Sequence, residues 1–310
     1  MKFDSRIFVA GHKGLAGSAI VRVLLENGFT NVITKSKNEL DLRNQNDVKD
    51  FFDQERPEYV FDAAAKVGGI HANDTYSADF IYDNLMIQTN LIDSSYRFGV
   101  KKFLFLGSVC IYPKFAPLPI VEDCLLTGFL EPTNEAYAVA KISGIKMCQA
   151  YKKQYGFDAI SLMPTNLYGP GDNYHPENSH VMAAMIRKFS YAKDNNLEEV
   201  VCWGDGSPKR EFLYSDDLAE ACLIRMQNDS EYDIMNVSTG EEVSIKETAE
   251  IVSEVVGYNG KIIWDTGKPN GTIKRPLYVN KIKELGWQPK ISLRGGVEMS
   301  YRWYKDNVII

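Results

Sequence analysis

The sequence predicts an α/β protein, a doubly wound parallel sheet with a smaller, interwoven C-terminal α/β region. Three observations predict it. Short apolar runs alternate with helical stretches through the first half, a glycine-rich turn separates the first run from the first helix, and after about Asn166 the alternation becomes irregular.

The elements follow in order. Residues 6–10 read as the first strand and are followed by a glycine turn and a helix through about Asn27. Residues 31–34, 59–63 and 102–106 read as further strands, with helices before and between the last two. Residues 134–155 have helical character, and residues 159–163 form the next strand. Tyr168-Gly169-Pro170-Gly171-Asp172-Asn173 is a turn-rich loop. Helices are expected from about Ser179 to Asp194, over 216–227 and over 244–256, with a strand at 233–237 and a turn at Pro269-Asn270-Gly271. The expected division is a large unit of residues 1–166, joined by about 213–238, and a smaller one of 167–212 and 239–310.

A chain of 310 residues can bury one large core or two modest ones. Its formal charge of −6 argues against a surface that engages nucleic acid, though a local basic pocket remains allowed. No stretch approaches the ~20 apolar residues of a membrane span, and the N-terminus lacks a leader's cleavage pattern. Cys110, Cys124, Cys148, Cys202 and Cys222 are odd in number and irregularly spaced, without a CxxC pair. They fit a reduced cytoplasmic protein, and no metal site is expected.

Gly11-His12-Lys13-Gly14-Leu15-Ala16-Gly17 follows the first strand and opens the first helix. Such a loop brings the backbone close to a pyrophosphate and aims the helix N-terminus at it. The spacing is GxxGxxG, the form seen in short-chain dehydrogenase/reductases. The second strand ends in Thr34-Lys35-Ser36-Lys37, with no acid to hold a ribose 2′-hydroxyl. Those bases and Lys13 suit a 2′-phosphate, so NADP(H) is expected over NAD.

Tyr137 and Lys141 lie four residues apart on the helical stretch and therefore share a face. A phenol is a poor acid at neutral pH, and a neighbouring ammonium lowers its pKa. Ser108 ends the strand before it. Together the three form a Ser/Tyr/Lys constellation for reducing a ketone, in which Ser108 hydrogen-bonds the carbonyl oxygen that Tyr137 protonates. Cys110, two residues on, is expected on the same side of the strand.

Longer matches run almost end to end. They include Ala63-Ala64-Ala65-Lys66-Val67-Gly68-Gly69-Ile70, Cys110-Ile111-Tyr112-Pro113-Lys114, Glu131-Pro132-Thr133-Asn134-Glu135, Pro164-Thr165-Asn166-Leu167-Tyr168-Gly169-Pro170, Asn178-Ser179-His180-Val181, Trp203-Gly204-Asp205-Gly206 and Arg210-Glu211-Phe212-Leu213. On these residues the chain resembles the GDP-L-fucose synthase family of extended short-chain dehydrogenase/reductases. The resemblance implies a homodimer joined through helices near 79–98 and 134–155. It also implies 3,5-epimerisation and 4-reduction of a GDP-linked 4-keto-6-deoxy sugar, with Cys110 and His180 as the epimerisation base and acid. Ser179 is expected to cap the helix that follows it.

The resemblance further implies that the cofactor meets the glycine loop (residues 11–17), Asp41, Ala64, Leu106, Gly107, Ser108, Val109, Tyr137, Lys141, Pro164, Thr165, Asn166, Leu167 and His180. The substrate meets Ser108, Cys110, Asn166, Lys188, Trp203, Arg210 and Asn270. Lys188 stands where the family generally has arginine, Asn270 where it often has aspartate, and Val109 where serine is commoner. A heptose 4-reductase is the alternative on the same scaffold. A non-catalytic NADP-binding regulator predicts loss or burial of the Tyr/Lys pair, and both residues are present. A dehydratase calls for a carboxylate pair before the tyrosine, where this chain has Ser108-Val109-Cys110.

Overall fold

The computed structural model describes residues 1–176, 178–229, 231–268, 270 and 273–308, with Ile70 described by its backbone alone. Pro269 and Gly271 of the expected turn lie outside the described residues.

The first half winds a parallel sheet. Its strands are β1 (Ile7–Ala10), β2 (Val32–Ile33), β3 (Tyr59–Asp62), β4 (Lys102–Leu106) and β5 (Ala159–Pro164), and a late strand, β10 (Ile234–Val237), joins the edge. The order is β10-β5-β4-β3-β1-β2, and every pairing is parallel. β4 and β5 are buried along their whole length, as strands covered on both faces must be. Fully burying Phe103, Leu104 and Phe105 contributes roughly 1.5–3 kcal/mol each. Lys102 is tolerated there because its ammonium reaches the carbonyl of Asn228 at 3.0 Å.

Helix α1 (Leu15–Glu26) covers one face and packs against α7 (Ser215–Gln227). On the other face, α2 (Gln45–Glu55) packs on α4 (Ser77–Arg97), which follows the short α3 (Ile70–Thr75) and packs in turn on α5 (Glu135–Tyr155). From β1 the chain runs out to β2 and then crosses to β3 on the other side of β1. The crevice at that reversal, outside the carboxyl ends of the strands, is where open α/β sheets bind ligands.

A second core gathers Tyr168, Ile186, Phe189, Val252, Val297 and Tyr304 among others. Around it lie three strand pairs: β6 (Asn166–Tyr168) with β9 (Phe212–Tyr214), β7 (Glu199–Trp203) with β12 (Lys261–Asp265), and β8 (Lys209–Arg210) with β11 (Val243–Ser244). Helices α6 (Val181–Asp194), α8 (Ile245–Val256) and α10 (Leu293–Asn307) pack on it. A further helix, α9 (Asn280–Glu284), stands apart: its Ile282, with Leu277, Val279 and Trp287, returns to the first core.

Most expected strand boundaries shift by a residue or two, and two helix starts shift with a visible cause. Ser244 caps α8 through a reciprocal bond with Glu247 and is not part of the helix. His180, not Ser179, is the N-cap of α6, and it makes no side-chain capping bond.

Candidate active site

Four loops meet at the carboxyl ends of β1, β3, β4 and β5. In the first, the three glycines do different work. Gly11 has φ +78°, and a Cβ there would stand 2.7 Å from the Ala63 carbonyl oxygen. A Cβ on Gly17 would lie 2.2 Å from the Gly11 oxygen. Both are required for α1 to pack on its own loop. At Gly14 a Cβ would meet only the Gly11 oxygen at 3.4 Å, an ordinary contact. Gly14 is the N-cap of α1 and offers no side-chain acceptor to the first-turn N–H groups. Its bareness leaves the first-turn N–H groups open to an acceptor from outside the fold. The buried Nδ1 of His12 also has no partner among the described residues. These features fit a dinucleotide pyrophosphate.

Beyond β2, Lys35 pairs with Glu55 at 3.4 Å. Lys35 and Lys13 also act on Glu39, whose carboxyl is held below its ordinary value first by the Ser36 hydroxyl. Asp41 is chelated by Arg43 at 2.7 Å, and that bond lowers its pKa to about 2. Asp41 is thus committed to Arg43, while Lys37 is exposed at the same corner. This cluster of cations suits the 2′-phosphate end of NADP(H).

The second loop, after β3, begins at Asp62, which is wholly buried. One carboxyl oxygen accepts from Ala64 N at 3.1 Å and the other has no partner among the described residues. Burial raises its pKa to about 6, against the pull of Lys141. Further on, Gly69 N donates to Asn178 O at 3.1 Å, and a Cβ on Gly69 would stand 2.9 Å from Ser179 O. The bare glycine brings this loop against the segment that presents His180. His180 keeps an exposed surface, yet the protein packed around it desolvates the imidazole and lowers its pKa.

The third loop carries Ser108 and Cys110. It departs from the expected strand continuation, because β4 ends at Leu106 and residues 109–111 turn as 3-10 helix capped by Ser108. The alternation argument for a shared face therefore does not apply. The cap brings the two side chains together instead, since Ser108 Oγ accepts from Cys110 N at 3.4 Å and its hydroxyl also bonds the thiol. Gly107 leaves room for the Met163 side chain, whose sulfur a Cβ there would meet at 2.3 Å and displace.

From α5, Lys141 is 3% exposed. Its ammonium donates to Leu106 O at 2.8 Å and lies 4.5 Å from the centre of the Phe105 ring and 6.0 Å from that of Tyr137. Burial lowers its pKa, and the neighbouring Asp62 opposes this. The Tyr137 ring meets Phe80 edge-on at 6.3 Å. Burial and then Cys110 push its phenol up, while a hydrogen bond with Ser108 pulls the other way. The direction is opposite to the expected lowering by Lys141, because desolvation dominates. A neutral phenol is the form that donates a proton. Burial also raises Cys110 to about 11, against lowering by Ser108, Lys141 and Arg275.

The fourth loop follows β5. Pro164 ends the strand, and Leu167 is half-buried. Thr165 Oγ1 and Asn166 Nδ2 donate to Glu211 O at 3.2 and 2.9 Å.

The remaining substrate candidates lie on the second core. Lys188 Nζ donates to Val201 O at 2.8 Å, and Trp203, 66% exposed, ends the same strand with Lys268 Nζ 5.5 Å from its ring centre. Asn270 Oδ1 accepts from Asp205 N at 2.8 Å. These three share one corner. Arg210 is half-buried on β8, and the charge of Arg275 acts on it.

Sequence reasoning missed Asp62, Glu211 and Arg275. Asp62 had a signal, a charge closing the apolar run Tyr59-Val60-Phe61. Glu211 stood unremarked inside a quoted motif, and Arg275 had no signal.

Fold and site together define a dinucleotide-dependent oxidoreductase of the Ser/Tyr/Lys type. Residues 7–238 match the NAD dependent epimerase/dehydratase family, and the chain belongs to it. It is 62% identical to GDP-L-fucose synthase 1 of Arabidopsis thaliana over 98% of this chain and 94% of that one. It is 48% identical to the GDP-L-fucose synthase of Escherichia coli K12, over 97% of each. Among solved structures, a Campylobacter jejuni GDP-D-glycero-L-gluco-heptose synthase, studied in the presence of NADPH, aligns with TM-score 0.92 and 39% identity over 98% of this chain and 99% of that one.

Proposed function

We propose that this chain is an NADPH-dependent epimerase/reductase that converts GDP-4-keto-6-deoxy-D-mannose to GDP-L-fucose. The observation that carries the reading is the meeting of Ser108, Cys110, Tyr137 and Lys141 at the carboxyl end of β4, in a chain 48–62% identical to proteins named for that activity.

Bound NADPH supplies the hydride for carbon 4. The rest is the work of the chain. The Cys110 thiolate takes a proton from the carbon beside the ketone, whose electron pair moves into the carbonyl, and His180 returns a proton on the opposite face. Repetition at the second carbon completes the 3,5-epimerisation. Ser108 then holds the carbonyl oxygen while Tyr137 delivers the proton that reduction requires. Lys141, fixed by Leu106 O, keeps a positive charge beneath the site and supports the phenolate left behind.

Gly11, Gly14 and Gly17 receive the pyrophosphate, and the Lys13/Lys35/Lys37 corner receives the 2′-phosphate. Lys188, Arg210, Trp203 and Asn270 serve the GDP end, with the lysine acting as a point charge and not a fork. Residues 1–166 with about 213–238 form the cofactor half. Residues 167–212 and 239–310 form the substrate half. The protein works as a homodimer in the cytoplasm, joined through α4 and α5; among the described residues no helix is long and apolar enough to cross a membrane.

The heptose synthase likeness favours a second reading, 4-reduction of a GDP-4-keto-6-deoxy heptose. Purified protein given NADPH and each keto sugar separates the two by NMR of the products. GDP-L-fucose formed in preference supports the first reading, and turnover of the heptose alone overturns it.

A further inference from the structure

Arg275 belongs to none of the motifs above. Its Nη2 lies within hydrogen-bonding distance of three carbonyl oxygens: Tyr112 at 3.1 Å, and Val109 and Pro113 at 3.4 Å each. All three belong to the turn that carries Cys110. A planar guanidinium can serve several acceptors at once and keeps its charge when they are neutral.

The base from which Arg275 reaches is fixed. Ile120 N donates to Pro276 O at 2.8 Å and Tyr278 N to Ile120 O at 2.9 Å. Leu277 N donates to the buried carboxylate of Glu211 at 3.2 Å. Asn236 Nδ2 bonds the carbonyls of Ile120 and Tyr278 at 3.1 and 3.2 Å. This strap of residues 275–278 is therefore tied to β10 and to Glu211, just before β9, while its arginine grips the loop after β4.

Charge points the same way. Cys110 feels Ser108 from its own turn, Tyr137 and Lys141 from α5, and Arg275 from the strap. Lys141 is shared with Asp62. Glu131, the carboxylate that acts on Arg275, is itself paired with Lys114 at 3.0 Å. Arg275 is thus the cation that reaches the thiol from the strap side, and among the described residues it forms no ion pair.

We propose that Arg275 is a positioning residue for Cys110: it pins the turn of residues 109–113 and its charge stabilises the thiolate. The proposal rests on the reading of Cys110 as the epimerisation base.

The test is the pH dependence of Cys110 alkylation by iodoacetamide, with the adduct located by mass spectrometry and Cys110→Ser as the blank. The other four cysteines are buried. Arg275→Gln is expected to raise the alkylation midpoint by about one pH unit or more and to slow deuterium entry at carbons 3 and 5 at least about tenfold, with NADPH affinity unchanged. An unchanged midpoint overturns the proposal. Arg275→Lys keeps a cation but ends one bond short of the nitrogen that reaches the three carbonyls, so the midpoint stays near the wild-type value while exchange slows. Exchange at the wild-type rate in that variant overturns the positioning role, even if the glutamine variant does not fold. Exchange that survives Cys110→Ser overturns the role of Cys110 instead, and leaves the alkylation result readable.

Discussion

The two ends of the cleft are built differently. At the end proposed for reduction, Ser108 caps the turn after β4, Tyr137 and Lys141 stand on α5, and Lys141 is almost wholly buried. At the end proposed for the nucleotide, Trp203 is largely exposed, and Lys188 and Asn270 are tied to single backbone atoms of β7 and the turn after it. Chemistry demands fixed distances and little water, whereas nucleotide recognition tolerates an open edge. Substitutions at the first end should therefore abolish turnover, and those at the second should only weaken binding.

The largest expected effect is that of Tyr137→Phe. Removing the proton donor should lower kcat for reduction by about 10²–10⁴, measured as NADPH oxidation, with NADPH affinity unchanged. A loss in KM alone would erase the contrast between the ends.

Next comes Asp62→Asn, beneath the same end. A carboxyl raised to about 6 in the fold and ordinary when unfolded makes a contribution to stability that is fully present below pH ~4 and lost as the pH rises through about 6. The asparagine variant should escape that loss, gaining up to about 3 kcal/mol over wild type by neutral pH. Melting temperatures across this range check it, and a difference independent of pH would show that Asp62 does not titrate there.

The smallest effect is expected from Trp203→Ala. It should raise KM for the sugar nucleotide about two- to tenfold and leave kcat alone. A fall in kcat would place Trp203 in the chemistry.

The same contrast governed what could be read beforehand. The reducing end was legible because its residues sit at fixed spacings on regular elements: three glycines between strand and helix, and Tyr137 and Lys141 one turn apart. The nucleotide end was named through resemblance, since no local spacing links Lys188 to Asn270. The fold of the first half was legible from apolar runs buried on both faces. The β7–β12 pair was not, because its strands lie some sixty residues apart in the chain and β12 is only partly buried. The turn that joins Ser108 to Cys110 was mistaken for strand, as a three-residue 3-10 segment has no periodicity to read. Arg275 was invisible because its importance lies in which carbonyls it meets.

The central claim is that one cleft performs two separable reactions, isomerisation by Cys110 and reduction by Tyr137. It is tested most directly by incubating Cys110→Ser and Tyr137→Phe with the keto sugar in D₂O and following carbons 3 and 5 by NMR. The account predicts no deuterium entry with Cys110→Ser, and entry without reduction with Tyr137→Phe. Wild-type exchange by Cys110→Ser, or loss of exchange in a folded, cofactor-binding Tyr137→Phe, would contradict it.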